Sequence, residues 1–180
     1  MDRGIDFLKS QINNAVMQHK TFVENLTDHA SQAEDERFRQ LCTTFLPKAT
    51  AHQQMLEDYQ REIGAEAGLA KKALGKALGV ARDLADAPRE DDFLRLVGDI
   101  VTARQSEDTF KTFREAGRTL GIQRLAQIGE MGEREHDEYA KQANRLAQQL
   151  FVEYVSQGDT TGLNISSTAS TTPGNRANPL

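Results

Sequence analysis

Apolar residues recur at alternating three- and four-residue spacing along most of the chain, the period that lines one face of a helix. Five helical segments follow from it, at about 3–31, 35–63, 66–86, 90–117 and 122–156. The first carries the row Ile5, Leu8, Ile12, Ala15, His19, Phe22, Leu26. The second carries Phe38, Cys42, Phe45, Ala49, His52, Leu56, Tyr59, Ile63. The fourth gives Phe93, Leu96, Ile100, Ala103, Glu107, Phe110, and the fifth Ile122, Ala126, Gly129, Glu133, His136, Ala140, Ala143, Ala147, Leu150, Tyr154. Each row is interrupted near its middle by a His or a Glu.

The punctuation agrees with helices. Ser31 followed by Glu34 is a capping-box pattern, Pro88 ends the third segment, and Gly117 and Gly121 bracket a turn. Pro47 lies inside the second segment, where it removes a backbone donor and is expected to kink the helix unless it begins a new one. Short connections after the first and fourth segments, with a long one through 66–86, predict two antiparallel hairpins joined by a crossover. That is the ferritin-like, all-α variant of the four-helix bundle, over residues 1–156.

Composition supports this picture and trims the functional classes. The chain of 180 residues is 38% hydrophobic and 27% charged, enough for one domain with a core. A net charge of −5 lacks the basic footprint of a nucleic-acid-binding domain, so no nucleic-acid partner is expected. The single cysteine, Cys42, reads as small core filler and fits a reducing compartment. No leader-like apolar run opens the chain and no stretch of about 18 apolar residues occurs, so a cytoplasmic protein is expected. Residues 157–180, rich in Ser, Thr, Gly and Asn, have little to bury and read as a disordered tail, with docking of a protein partner as the alternative. Over 64–87 the lysines and Arg82 are offset by Glu66, Asp83 and Asp86 to a net +1, which disfavours a membrane-surface helix.

The polar interruptions carry the candidate chemistry. In Glu133-Arg134-Glu135-His136, a Glu and a His three residues apart project from one helical face, and imidazole with carboxylate suits iron, manganese or zinc. Counted from a turn near residue 119, Glu107 stands about level with residue 131, so that it meets Glu133. Counted from a turn near residue 33, His19 stands level with about residue 47, leaving His52 ~7 Å further along unless Pro47 redirects the helix. The candidate ligands are Glu133 and His136 first, then Glu107 and His52, then His19. The alternative is a metal-free polar network that fixes helix register, in a structural or interaction protein. Serine-nucleophile and nucleotide-binding glycine motifs are absent, so metal-dependent oxidation is the one enzymatic route the residues suggest.

The helix order and the stretch from Ala103 through FREAGRTLGIQRLAQIGEMGEREHDEYAKQANRLAQQ resemble the ferritin-like superfamily, in particular its YciE/YciF-type stress-protein branch. The resemblance implies a helical bundle, a homodimer or higher homo-oligomer, a di-iron centre and a role in stress response. By position it matches Glu133 to the last helix's carboxylate, His136 to the ligand that follows, and His52 to the second helix's histidine. His19 falls where the first helix of that family offers Glu. Ala49 and Ala103 stand where the family pattern has carboxylates, which reduces the expected site to one iron or manganese ion, or none.

Overall fold

The computed structural model describes residues 3–65 and 91–157. Among them all regular structure is helical: α1 (Arg3–Gln32), α2 (Glu36–Glu62), α3 (Asp92–Leu120) and α4 (Gln123–Gln157). The expected crossover helix over 66–86 and the tail from 158 onward lie outside the described residues. No helix among the described residues is long and apolar enough to cross a membrane.

The helix ends are set by specific side chains. Asp35 caps α2, accepting from the backbone N–H of Arg37 at 2.8 Å and Phe38 at 3.2 Å, a contact of a kind worth about 1 kcal/mol. The Ser31–Glu34 capping box is therefore not used: Ser31 stays inside α1 and bonds back to the Thr27 and Asp28 carbonyls. Asp91 caps α3 through the Leu94 N–H at 2.8 Å. Gly121 closes α3 in the left-handed region at φ 70°, while the Ile122 N–H reaches the Gly117 carbonyl at 2.8 Å. Gly117 itself remains helical and serves a different purpose. A Cβ there would lie 2.4 Å from the Ala126 backbone nitrogen, so its absence lets α3 and α4 approach closely. Helix α2 runs without interruption through Pro47.

Contacts across the bundle define the helix directions. Asn13 pairs with Gln60 and His19 with Gln53, making α1 and α2 antiparallel. Tyr139 pairs with Asp99, and a Cβ on Gly129 would meet Arg114, making α3 and α4 antiparallel. His29 reaches Asp99 from α1, and Arg37 reaches Glu153 from α2, so α1 also runs against α3 and α2 against α4. Helices α2 and α3 are consequently parallel. The chain leaves α2 beside Asn13, which bonds to the Ala65 carbonyl at 3.0 Å. It enters α3 at the opposite end, where Asp92 accepts from the Asp35 N–H at 2.6 Å.

The core falls into two apolar layers. Phe22, Leu26, Phe38, Phe45, Leu96 and Leu150 belong to one, and Ile12, Leu56, Tyr59, Phe110, Leu125 and Ile128 to the other. Burying each of the larger side chains favours folding by about 1.5–3 kcal/mol. Between the layers lie His19, His52 and His136.

Candidate metal centre

The three histidines come from three helices, each on the inner row of its helix and flanked by core residues. Their solvent exposure is 0%, 0% and 1% for His19, His52 and His136. Ring centroids stand 4.8 Å apart for His19–His52, 5.1 Å for His19–His136 and 6.1 Å for His52–His136. One ring nitrogen of each lies within 4.8 Å of one on each of the other two.

The hydrogen bonds determine which nitrogen of each ring carries the proton. His136 Nδ1 faces the Gly132 carbonyl at 2.7 Å, and His52 Nε2 faces the Ile128 carbonyl at 3.2 Å. A carbonyl only accepts, so both nitrogens must be N–H donors. His19 Nδ1 faces Gln53 Oε1 at 2.9 Å, and that amide is oriented by its own NH₂, which donates to Glu57 at 2.7 Å. The opposite nitrogens, His19 Nε2, His52 Nδ1 and His136 Nε2, therefore carry lone pairs. All three are buried and have no hydrogen-bond partner. Imidazoles held by a carbonyl or amide on one nitrogen, with the other nitrogen left for a cation, are how proteins orient metal-binding histidines.

Burial keeps the rings neutral. It lowers the His19 pKa to about 4 against the opposing Gln53 bond, and it lowers that of His52 to about 3 with His19 adding to the effect. His136 is lowered well below the ordinary value by burial first and by His19 second. Neutral imidazole is the ligating form, so a cation entering this cluster need not displace protons from it near neutral pH.

A carboxylate adjoins the rings. Glu135 Oε2 is buried without a hydrogen-bond partner and lies 4.0 Å from His52 Nδ1. Burial raises the Glu135 pKa, with Arg134 and Lys48 pulling the other way. Ser106 Oγ is also buried and unpartnered. Aromatic rings fill the rest of the layer. Phe110 stands 4.6 Å from His52, 5.1 Å from His136 and 5.8 Å from His19, while Phe22 stands 4.9 Å from His136. The layer also requires Gly132, where a Cβ would lie 2.3 Å from His52 Cε1 and 2.4 Å from the Phe110 ring.

Of the residues singled out in the sequence, His19, His52 and His136 are brought together, and Glu133 and Glu107 are not. Glu133 is ion-paired to Arg114 at the edge of the α3–α4 hairpin. Glu107 is paired to Arg104, which also reaches Asp137. The physical reason is the choice between three- and four-residue steps. From Gly129 the inner row of α4 advances by three to Gly132, not by four to Glu133. From Ala103 the row of α3 advances by three to Ser106, not by four to Glu107. A glycine and a serine give no hydrophobic signal, so the periodicity selects their charged neighbours. His19 and His52 meet because Gln53 is the residue level with His19, about six further along α2 than a count from the turn gives. Glu135 and Gln53 escape a row-based reading because they flank the inner row.

A second polar cluster lies one turn of α4 away. Asp99, fully buried on α3, accepts from the Tyr139 O–H at 2.9 Å, from His29 Nδ1 at 2.8 Å and from Asn25 Nδ2 at 3.4 Å. Cys42 adjoins this group, and burial, reinforced by Asp99, pushes its thiol pKa up. Burial with Asp99 likewise raises the Tyr139 phenol well above its usual range.

Comparisons with protein-family models, with curated proteins and with solved structures return no match. The donor set does not fit the di-iron centre that a ferritin-like resemblance implies. Two irons need several carboxylates to bridge and balance them, and among the described residues only Glu135, beside His52, presents a buried carboxylate oxygen without a hydrogen-bond partner.

Proposed function

We propose that this protein is a ferritin-like, stress-associated helical bundle whose histidine layer holds a single transition-metal ion. The observation that carries the reading is the convergence, at one level of the core, of three imidazoles that each have a buried ring nitrogen without a hydrogen-bond partner. A buried polar atom without a partner costs about 1–3 kcal/mol, and three beside one another are most simply satisfied by one cation. The ferritin-like part of the reading is supported by the direction of the helices, since α2 and α3 are parallel and α3 begins at the end of the bundle opposite to the one where α2 ends. Iron, manganese and zinc all accept imidazole with carboxylate.

The test is elemental analysis of protein produced in iron-, manganese- and zinc-supplemented media and purified without a chelator or affinity tag. About one metal per chain is expected, lost in His136→Ala with helix content retained. Metal well below one per chain in every medium overturns the proposal.

A second reading is a non-enzymatic structural or interaction protein in which the imidazoles act as core rings. The observation favouring it is Phe110, whose ring packs against all three. It predicts that chelators leave thermal stability unchanged, whereas a bound ion raises stability by mass action.

A further inference from the structure

Three imidazoles leave a tetrahedral ion one ligand short, and among the described residues one carboxylate, Glu135, has a buried oxygen without a hydrogen-bond partner. We propose that Glu135 is the fourth ligand and that the cluster is a closed, mononuclear site for a divalent ion of the zinc class. This inference rests on the reading that the histidine layer holds metal.

Glu135 Oε2 and His52 Nδ1 are both buried, both unpartnered and 4.0 Å apart. In a tetrahedral zinc site, with ligand bonds of about 2.0–2.2 Å, the donor atoms stand about 3.3–3.5 Å apart. The His52–Glu135 pair needs to close by about half an ångström and the imidazoles, within 4.8 Å of one another, by up to about 1.5 Å, while the Glu135 carboxylate, which lies outside the group the imidazoles form, has to turn from His52 toward His19 and His136. The carboxylate also supplies the one negative charge that offsets part of a dication in an apolar layer.

The surroundings argue against a second ion. Arg114 holds Glu133, Arg104 holds Glu107 and Asp137, and Lys141 also holds Asp137. Among the described residues, Glu135 alone keeps a buried carboxylate oxygen without a hydrogen-bond partner. Phe110 and Phe22 cover the imidazoles with aromatic rings where a catalytic site would keep an open position for water or substrate. Four protein donors with aromatic cover define a structural site that ties α1, α2 and α4 together.

The test uses the full chain freed of metal and titrated with Co²⁺, the coloured stand-in for Zn²⁺. One equivalent is expected to bind with the intense visible absorption of tetrahedral cobalt, and one equivalent of Zn²⁺ to bleach it. Glu135→Gln, close in size and checked for native helicity by circular dichroism, is expected to weaken cobalt binding by about a hundredfold or more and to shift the bands. That is at or beyond the 10–100-fold effect of losing an outer-shell partner. Glu133→Gln is expected to change neither.

Two equivalents of cobalt, a weak octahedral spectrum, or unchanged affinity and bands in Glu135→Gln would each overturn the closed four-ligand site. The histidine reading fails separately, if His136→Ala binds cobalt as the native chain does. Loss of binding in His136→Ala together with an unchanged Glu135→Gln removes only the fourth ligand.

Discussion

The bundle buries two polar clusters about a turn of α4 apart, and they differ in how their polar atoms are answered. Around Asp99 the chain satisfies itself: both carboxylate oxygens accept, and Tyr139, His29 and Asn25 are the donors. Around His136 the chain satisfies one nitrogen of each ring and leaves the other bare, with Glu135 bare beside them. A network that closes on itself is architecture, because removing it leaves orphaned donors and adding to it gains nothing. One that leaves a nitrogen of each ring without a partner is unfinished, and the proposed cation is what would complete it.

The largest effect that separates the two clusters is acid sensitivity of the metal-free chain. The folded-state pKa values of His19 and His52, about 4 and about 3, lie below the unfolded value of about 6.5, and His136 shifts in the same direction. Above about pH 6.5 neither state binds these protons, so the rings add no pH dependence there. Below it the unfolded chain takes up protons that the folded chain refuses, and stability falls with pH until the folded rings titrate, at about 4 for His19 and about 3 for His52. His19 and His52 each contribute about 1.4 kcal/mol per pH unit in that window, so the two together contribute about 3 kcal/mol per unit, and His136 adds in the same direction. Urea unfolding at pH 7, 5.5 and 4.5 measures this; a flat profile would mean that the rings are not held neutral by burial.

Removing the anchor of the closed cluster is expected to have the next largest effect. Asp99→Ala leaves the Tyr139 hydroxyl and the His29 N–H without their acceptor, a loss of about 2–4 kcal/mol. Metal content should stay at the native level. A parallel loss of metal would show that the two clusters form one cooperative site.

Gly132→Ala is the smallest change and tests the packing beneath the rings. The helix-propensity gain of about 1 kcal/mol is opposed by overlap of the new methyl with His52 and Phe110. A net destabilisation of about 1–3 kcal/mol and weaker metal binding are expected, read by thermal unfolding with and without Zn²⁺. A stabilised variant with native metal affinity would show that the layer has slack at this position.

The rows of α1 and α2 were legible because nearly every inner position is apolar or aromatic. Ile12, Ala15, Phe22 and Leu26, and Phe38, Phe45, Ala49, Leu56 and Tyr59, are buried where the periodicity places them. His19 and His52 could therefore be assigned to the interior from spacing alone. The rows of α3 and α4 were legible only in part, because their inner faces include Asp99, Ser106, Gly129 and Gly132. Gly129 reflects the close approach of two backbones and Gly132 makes room for the His52 and Phe110 side chains, properties of packed helices that no single helix reveals alone. Asp99 is tolerated inside because three partners from other parts of the chain converge on it.

The sequence by itself determined that the chain is helical and that His19, His52 and His136 lie on inner rows. These are local or periodic properties, readable within one helix. The tertiary structure alone decided that the three histidines share one level, that Glu135 and not Glu133 stands beside them, and that Asp99 is the centre of a closed network. Register between helices depends on how side chains of both fill the space between them. A carboxylate's fate depends on whether an arginine from the neighbouring helix reaches it first, as Arg114 reaches Glu133.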